Sequence, residues 1–189
     1  MSASLYGPTF FEGRSPLVEQ SAAVVVPVLT HLLEPWTVLD VGCGQGEWTA
    51  AFERELRGPE TYTPGDVYGV DIAAPLGRWF RGWDLTRPLH LERFFDLVLC
   101  VEVGEHLPEA SADTLVDTIV RHAGDIVFGA AVPGQEGVGH INCQPHEYWH
   151  AKFAERGYEM RDAIRPLIAN DHRVSPWYRN NMFLYLEPS

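Results

Sequence analysis

Val38-Leu39-Asp40-Val41-Gly42-Cys43-Gly44-Gln45-Gly46 is the stretch on which the rest of the chain is read. Thr37 to Val41 is β-rich and short. Three glycines follow at alternate positions, and then Trp48, Phe52 and Leu56 recur at helical spacing. The order is strand, G-x-G-x-G turn, helix. Glycines there let the backbone turn sharply and approach a ligand closely. The first turn of the helix offers N–H groups with no partner inside the helix. Such a loop is weak evidence by itself, because dinucleotide enzymes carry G-x-G-x-x-G in the same place. A tight turn that binds nothing is the plain alternative.

Three acids downstream and upstream of the turn narrow the ligand. Asp40 ends the strand before the loop, where a carboxylate suits the ammonium of a bound amino acid and repels a pyrophosphate. Asp71 ends the next strand candidate, Asp66 to Ile72, and an acid there accepts both hydroxyls of a ribose. Asp84, in Trp83-Asp84-Leu85, follows at the distance of the next element and is placed to accept from an adenine amino group. Each acid alone reads as a strand-end or turn residue. In this order they point to a ligand built of amino acid, ribose and adenine, which is S-adenosylmethionine (SAM).

The segments VLDVGCGQGEW, VYGVDI, WDL and FFDLVLCVEVGEHLPEA, over about residues 36–110, resemble those of class I SAM-dependent methyltransferases and occur in the same order. The resemblance implies a Rossmann-like three-layer α/β sandwich. Its sheet is seven-stranded and mostly parallel, with antiparallel pairing at one edge. The resemblance also implies that Asp40, Gly42, Cys43, Gly44 and Gly46 surround the methionine part of SAM. Asp71 with Ile72 takes the ribose, Asp84 with Leu85 takes the adenine, and Glu102 lies beside the cofactor.

Glu102-Val103-Gly104-Glu105-His106-Leu107-Pro108 follows the near-continuous apolar run Phe94 to Val101. In an open α/β sheet this is the carboxyl end of a central strand, where ligands bind. Glu102, Glu105 and His106 form E-x-x-E-H, a donor set able to hold Mg2+ or Mn2+ with open positions. The segment is similar to those in ubiquinone-pathway O-methyltransferases and small-RNA 2′-O-methyltransferases, which place a metal there. Many methyltransferases of similar sequence use no metal, and there the acid fixes the loop and the histidine is structural or a base. His140-Ile141-Asn142-Cys143-Gln144-Pro145-His146 follows the Pro133-Gly134 strand end on the same side of the sheet. His140 and His106 are the candidate catalytic bases, histidine being the side chain that ordinarily titrates near neutrality. A hydrogen-bonded loop histidine is the plain alternative for either, and His140 is also a candidate to complete a metal shell with His106.

The outer parts of the chain bound the function. The 189 residues fit one domain, with residues 1–16 an irregular arm and a helix from about Pro16 to Leu33 that Pro27 is able to kink. Further elements are expected at Ser111–His122 (helix), Asp125–Val132 (strand), Pro145–Arg156 (helix), Tyr158–Ile168 and Met182–Leu186 (strands). The formal net charge of −12 disfavours nucleic acid, which needs a basic surface. Cys43, Cys100 and Cys143 are scattered and suit a reducing compartment. No apolar run is read as long enough to span a membrane, and a cytoplasmic protein is expected. The reading is an enzyme that methylates a small molecule, at oxygen. Its alternatives are a metal-assisted RNA 2′-O-methyltransferase, an NAD-dependent oxidoreductase, or a SAM-binding fold member with other chemistry or a regulatory role.

Overall fold

The computed structural model describes residues 15–56, 66–75 and 79–187. Its elements are α1 (Ser15–Leu33), β1 (Val38–Val41), α2 (Glu47–Leu56), β2 (Val67–Asp71), β3 (Phe80–Gly82), β4 (Phe95–Val101), α3 (Ala112–His122), β5 (Ala123–Gly129), α4 (His146–Ala154), β6 (Glu159–Arg161), α5 (Arg165–Ile168), α6 (Pro176–Asn181) and β7 (Phe183–Leu186). Single 3-10 turns at Gly104–His106 and Glu109–Ser111 precede α3.

One seven-stranded sheet runs β3-β2-β1-β4-β5-β7-β6. β1 to β5 are mutually parallel, and β7 runs antiparallel to both β5 and β6. The last strand in chain order is therefore the reversed one, but it lies one position in from the rim, and β6 forms the edge itself. The chain winds outward from β1 to β3 and returns to place β4 on the other side of β1. The carboxyl ends of β1 and β4 thus flank the topological switch point, where α/β sheets open a crevice.

Strand alternation sorts the core into two layers. In β4, Leu97, Leu99 and Val101 face the side covered by α1, α2, α5 and α6. Phe95, Val98 and Cys100 face α3 and α4. β1 alternates likewise, with Val38 on the first side and Leu39 and Val41 on the second. Both faces being covered explains why β4 reads as a near-continuous apolar run, broken only by the exposed Asp96. Ion pairs tie α3 to α4 on the outer surface, where Lys152, the one lysine of the chain, reaches Asp113 at 2.9 Å and Arg156 reaches Asp117 at 2.6 Å.

Several expectations are corrected. Ser15 and Pro16 belong to α1, and the helix continues unbroken through Pro27; residues 1–14 lie outside the described residues. α1 is long and apolar enough by length and composition to cross a membrane, with a mean hydropathy of 1.4, against the expectation that no stretch is. Its Ala22, Val25, Val26 and Leu29 are buried against the sheet, and most of the rest of its length is half-buried or exposed. The strand expected over Tyr158–Ile168 is only β6, because Pro166 has no N–H for a ladder and its fixed φ suits the first turn of α5. Likewise Pro176 opens α6 where no helix was expected. β5 begins at Ala123, directly after α3, and ends at Gly129, where the Asn181 carbonyl lies 2.9 Å from the position of a Cβ.

Candidate functional site

The glycine turn closes over the switch point by backbone bonds that only its unusual torsions allow. Gly42, Gly44 and Gly46 have φ of 83°, 53° and 90°. The Gly42 and Cys43 amides both donate to Val70 O, at 2.7 and 3.1 Å, which clips the loop onto β2. Asp71 holds it from the side, accepting from Gly44 N at 3.2 Å and Ala73 N at 2.7 Å. Burial holds the Asp71 carboxyl above its usual range in spite of these two donors. Gly42 also packs against the end of β4, and a Cβ there would lie 2.2 Å from Val103 Cγ2.

A cavity of about 310 Å³ opens above this turn. Gly42, Cys43, Gly44, Asp71, Ile72, Leu85, Glu102, His106 and His140, all singled out in the sequence, line it. Trp83, Gln135 and Trp177 line it as well.

Four expected residues lie off the cavity wall. Gly46 starts α2 and is braced by Phe80, 3.0 Å from where a Cβ would be. Asp84 turns to its own backbone, accepting from Thr86 N at 3.0 Å and Thr86 Oγ1 at 2.8 Å. Asp40 points from β1 toward α2, is 2% exposed, and accepts from Thr49 Oγ1 at 2.8 Å. Burial, helped by the charges of Asp71 and Glu47, pushes the Asp40 carboxyl up to about 7. Glu105 is fully buried.

Glu105 is the centre of a second cluster. Its side-chain oxygens both lack a hydrogen-bond partner. Burial and then the charge of Glu102 hold its carboxyl well above the ordinary range. Its carbonyl accepts from Ile141 N at 2.9 Å and Asn142 N at 3.0 Å, and Asn142 Nδ2 reaches Gly104 O at 3.3 Å. These bonds pin the His140 loop to the turn after β4, 35 residues earlier in the chain. Gly104 permits the approach from the other side, since a Cβ there would lie 2.7 Å from the Trp149 indole.

As a result, donor atoms of Glu105, His106 and His140 come within 4.8 Å of one another. The two imidazoles meet edge to face, 4.9 Å between centroids. His106 Nδ1 is 3.2 Å from Gly139 O, and His140 Nδ1 is 3.1 Å from Gln135 O. An Nδ1–H donated to each carbonyl leaves the lone pair on Nε2, the tautomer of a base or a ligand. Glu102, expected with Glu105 and His106 as a ligand, lies against the Glu105 carboxyl and also accepts from the amides Gln135 Nε2 at 2.7 Å and Asn181 Nδ2 at 3.4 Å. Gln135 and Asn181 were not singled out in the sequence. Gln135 carries one sequence signal, its place just after the Pro133-Gly134 turn, whereas Asn181 ends α6, a helix the sequence did not announce, and carries none.

Gly137 leaves the Nε2 edge of His140 clear, as a Cβ there would lie 2.1 Å from that nitrogen. Gly137→Ala is therefore expected to displace the ring. Stability should change by less than about 1 kcal/mol, because the position is exposed. Whatever His140 does should be largely lost. Histidine chemical shifts and a urea titration of the variant check both halves.

A family model described as a methyltransferase domain matches residues 17–127. A demethylmenaquinone methyltransferase of Lactiplantibacillus plantarum is 44% identical over 46 residues, 24% of this chain and 17% of that protein. The chain thus spans about a sixth of that relative's length. The sugar N-methyltransferase KedS8 from Streptoalloteichus superposes with a TM-score of 0.68 at 19% identity, over 96% of this chain and 92% of that one. Magnesium protoporphyrin IX methyltransferase from Synechocystis with bound S-adenosylhomocysteine gives 0.62 at 14% identity, over 98% and 92%.

Proposed function

The chain belongs to the methyltransferase domain family, and we propose that it transfers the methyl group of SAM to a hydroxyl of a small, uncharged acceptor. The observation that carries this reading is the pair His106 and His140 on the wall of the cavity that the glycine turn opens, with the Glu105 carboxyl buried behind them. The sulfonium methyl is already activated, so the enzyme has to hold the acceptor oxygen in line with the S–CH3 bond and exclude alternatives. Asp71 and Ile72 take the ribose, Leu85 and Trp83 the adenine, and the Gly42 to Gly44 backbone the methionine part. Asp40 acts from behind the turn through Thr49 and does not touch the cofactor.

His106 and His140 are placed to take the hydroxyl proton, each held by a carbonyl at Nδ1. The cluster also fits a divalent cation, because the buried Glu105 carboxyl lies beside both imidazoles and has no cationic side chain paired to it among the described residues. Two imidazoles beside one carboxylate suit Mn2+ better than Mg2+. When bound, such an ion supplies acidity to the acceptor hydroxyl and leaves less of that task to the histidines. No lysine or arginine is among the described residues of the cavity wall, which with the net charge of −12 speaks against RNA as acceptor.

The test is a calorimetric titration of Mn2+ into protein saturated with S-adenosylhomocysteine, with Glu105→Gln and His140→Asn alongside. One site per chain, weakened at least tenfold in both variants, is expected. Absence of binding in the wild type would remove the ion and leave the histidines as the only base.

A further inference from the structure

Glu102 is the first residue beyond β4 and carries a left-handed backbone, φ 56°, which is costly for a residue with a side chain. Its amide is fixed by Gly129 O at 2.8 Å. Each carboxylate oxygen faces an amide donor, Gln135 Nε2 at 2.7 Å on Oε2 and Asn181 Nδ2 at 3.4 Å on Oε1. Asn181, 2% exposed, also donates to Gln135 Oε1 at 2.8 Å, and its own oxygen is 3.1 Å from His146 Nε2. The four side chains come from the ends of β4, α6 and α4 and from the loop after β5. They form a clamp with the carboxylate at its centre. Donors on both oxygens fix the direction of the carboxylate.

The cavity gives this charge a place relative to the ligand. On the proposed reading Asp71, Ile72, Trp83 and Leu85 mark the adenosine end, and Gln135, His106 and His140, which line the same cavity, mark the acceptor end. Glu102 lines the same cavity beside Val103, which packs on Gly42. The sulfur of SAM joins the ribose to the methionine chain and carries the methyl toward the acceptor, so it falls between these ends. We infer that Glu102 is the counter-charge of the sulfonium and that Gln135 and Asn181 are positioning residues that aim it. The inference rests on the methyl-transfer reading of this cavity.

The chemistry makes the role directional. Transfer of CH3 to the acceptor breaks the S–C bond, leaves its electron pair on sulfur, and turns the cation into a neutral thioether. A carboxylate beside the sulfur attracts the cofactor before transfer and loses that attraction afterwards. The site therefore favours SAM over its product S-adenosylhomocysteine, and the product leaves readily.

Calorimetry with three ligands tests this without an acceptor: SAM, sinefungin (an amine, cationic at the position of the sulfonium) and S-adenosylhomocysteine, which is neutral there. In Glu102→Gln, SAM and sinefungin should weaken by about tenfold and S-adenosylhomocysteine by less than about twofold. Gln135→Leu should show the same selectivity at smaller size, about threefold. S-adenosylhomocysteine binding doubles as the control for folding. Equal weakening of all three ligands, or no change in any, overturns the inference and leaves the methyl-transfer reading standing. A wild-type protein that binds none of the three overturns both.

Discussion

Gly42→Ala should abolish cofactor binding, lowering the affinity for S-adenosylhomocysteine at least a hundredfold. Two causes add. An alanine at φ 83° carries left-handed strain, and its Cβ would sit 2.2 Å from Val103 Cγ2. The strain costs about 1–2 kcal/mol, and the overlap costs about 1–3 kcal/mol more unless the loop moves. Movement would break the clip onto Val70 O, which is the part the ligand needs. Gly134→Ala is the matched control, since it has φ 90° with nothing within 4 Å of the new Cβ. It should lose only the strain energy and keep full affinity. Calorimetry and urea unfolding on both variants separate the terms, and a Gly42→Ala protein that binds normally would remove the turn from the ligand site.

Stability of the ligand-free protein should fall as pH rises from 5 to 8, and Asp40→Asn should flatten that fall. The Asp40 carboxyl is raised from 3.8 to about 7 in the folded chain. Between those values the folded state holds a proton that the unfolded state has released. The associated stability is thus complete below about 4 and is lost as pH climbs through 7, which amounts to roughly 2–3 kcal/mol between pH 5 and 8. The raised carboxyls of Glu105 and Asp71 act in the same direction. His122 and His150, held below their usual value chiefly by burial, act in the opposite one under pH 6.5. The informative quantity is the difference between wild type and Asp40→Asn in urea unfolding at pH 5, 6.5 and 8. Parallel curves for the two proteins would show Asp40 ionised throughout.

The strand–turn–helix at Val38 to Leu56 and the acid at Asp71 were legible because local rules govern them. A glycine turn between an apolar strand and a helix has few other structures open to it. The surroundings of Asp40 were less legible. It shares a strand face with Val38, and that face meets α2, so its side-chain partner is Thr49. β3 escaped notice because Phe80-Arg81-Gly82 is three residues long and has no fully buried side chain to set a pattern. The cluster around Glu105 depends on backbone bonds between Glu105 and Ile141–Asn142, and the clamp on Glu102 on a contact with Asn181, 79 residues away. No periodicity connects such positions. The E-x-x-E-H spacing identified the right neighbourhood but not which carboxylate joins the imidazoles.

The place of β7 has a consequence for how the chain reaches this state. Among the described residues β6 pairs only with β7, and the outer edge of β5 likewise only with β7, through Ile126, Val127 and Phe128. On the ribosome both wait for a strand made after them. Until Phe183 to Leu186 emerges, β5 presents an open apolar edge and β6 has nothing to join. A sheet formed from β1 to β5 before that point would carry a rim open to other chains, and pairing with β7 is what covers it.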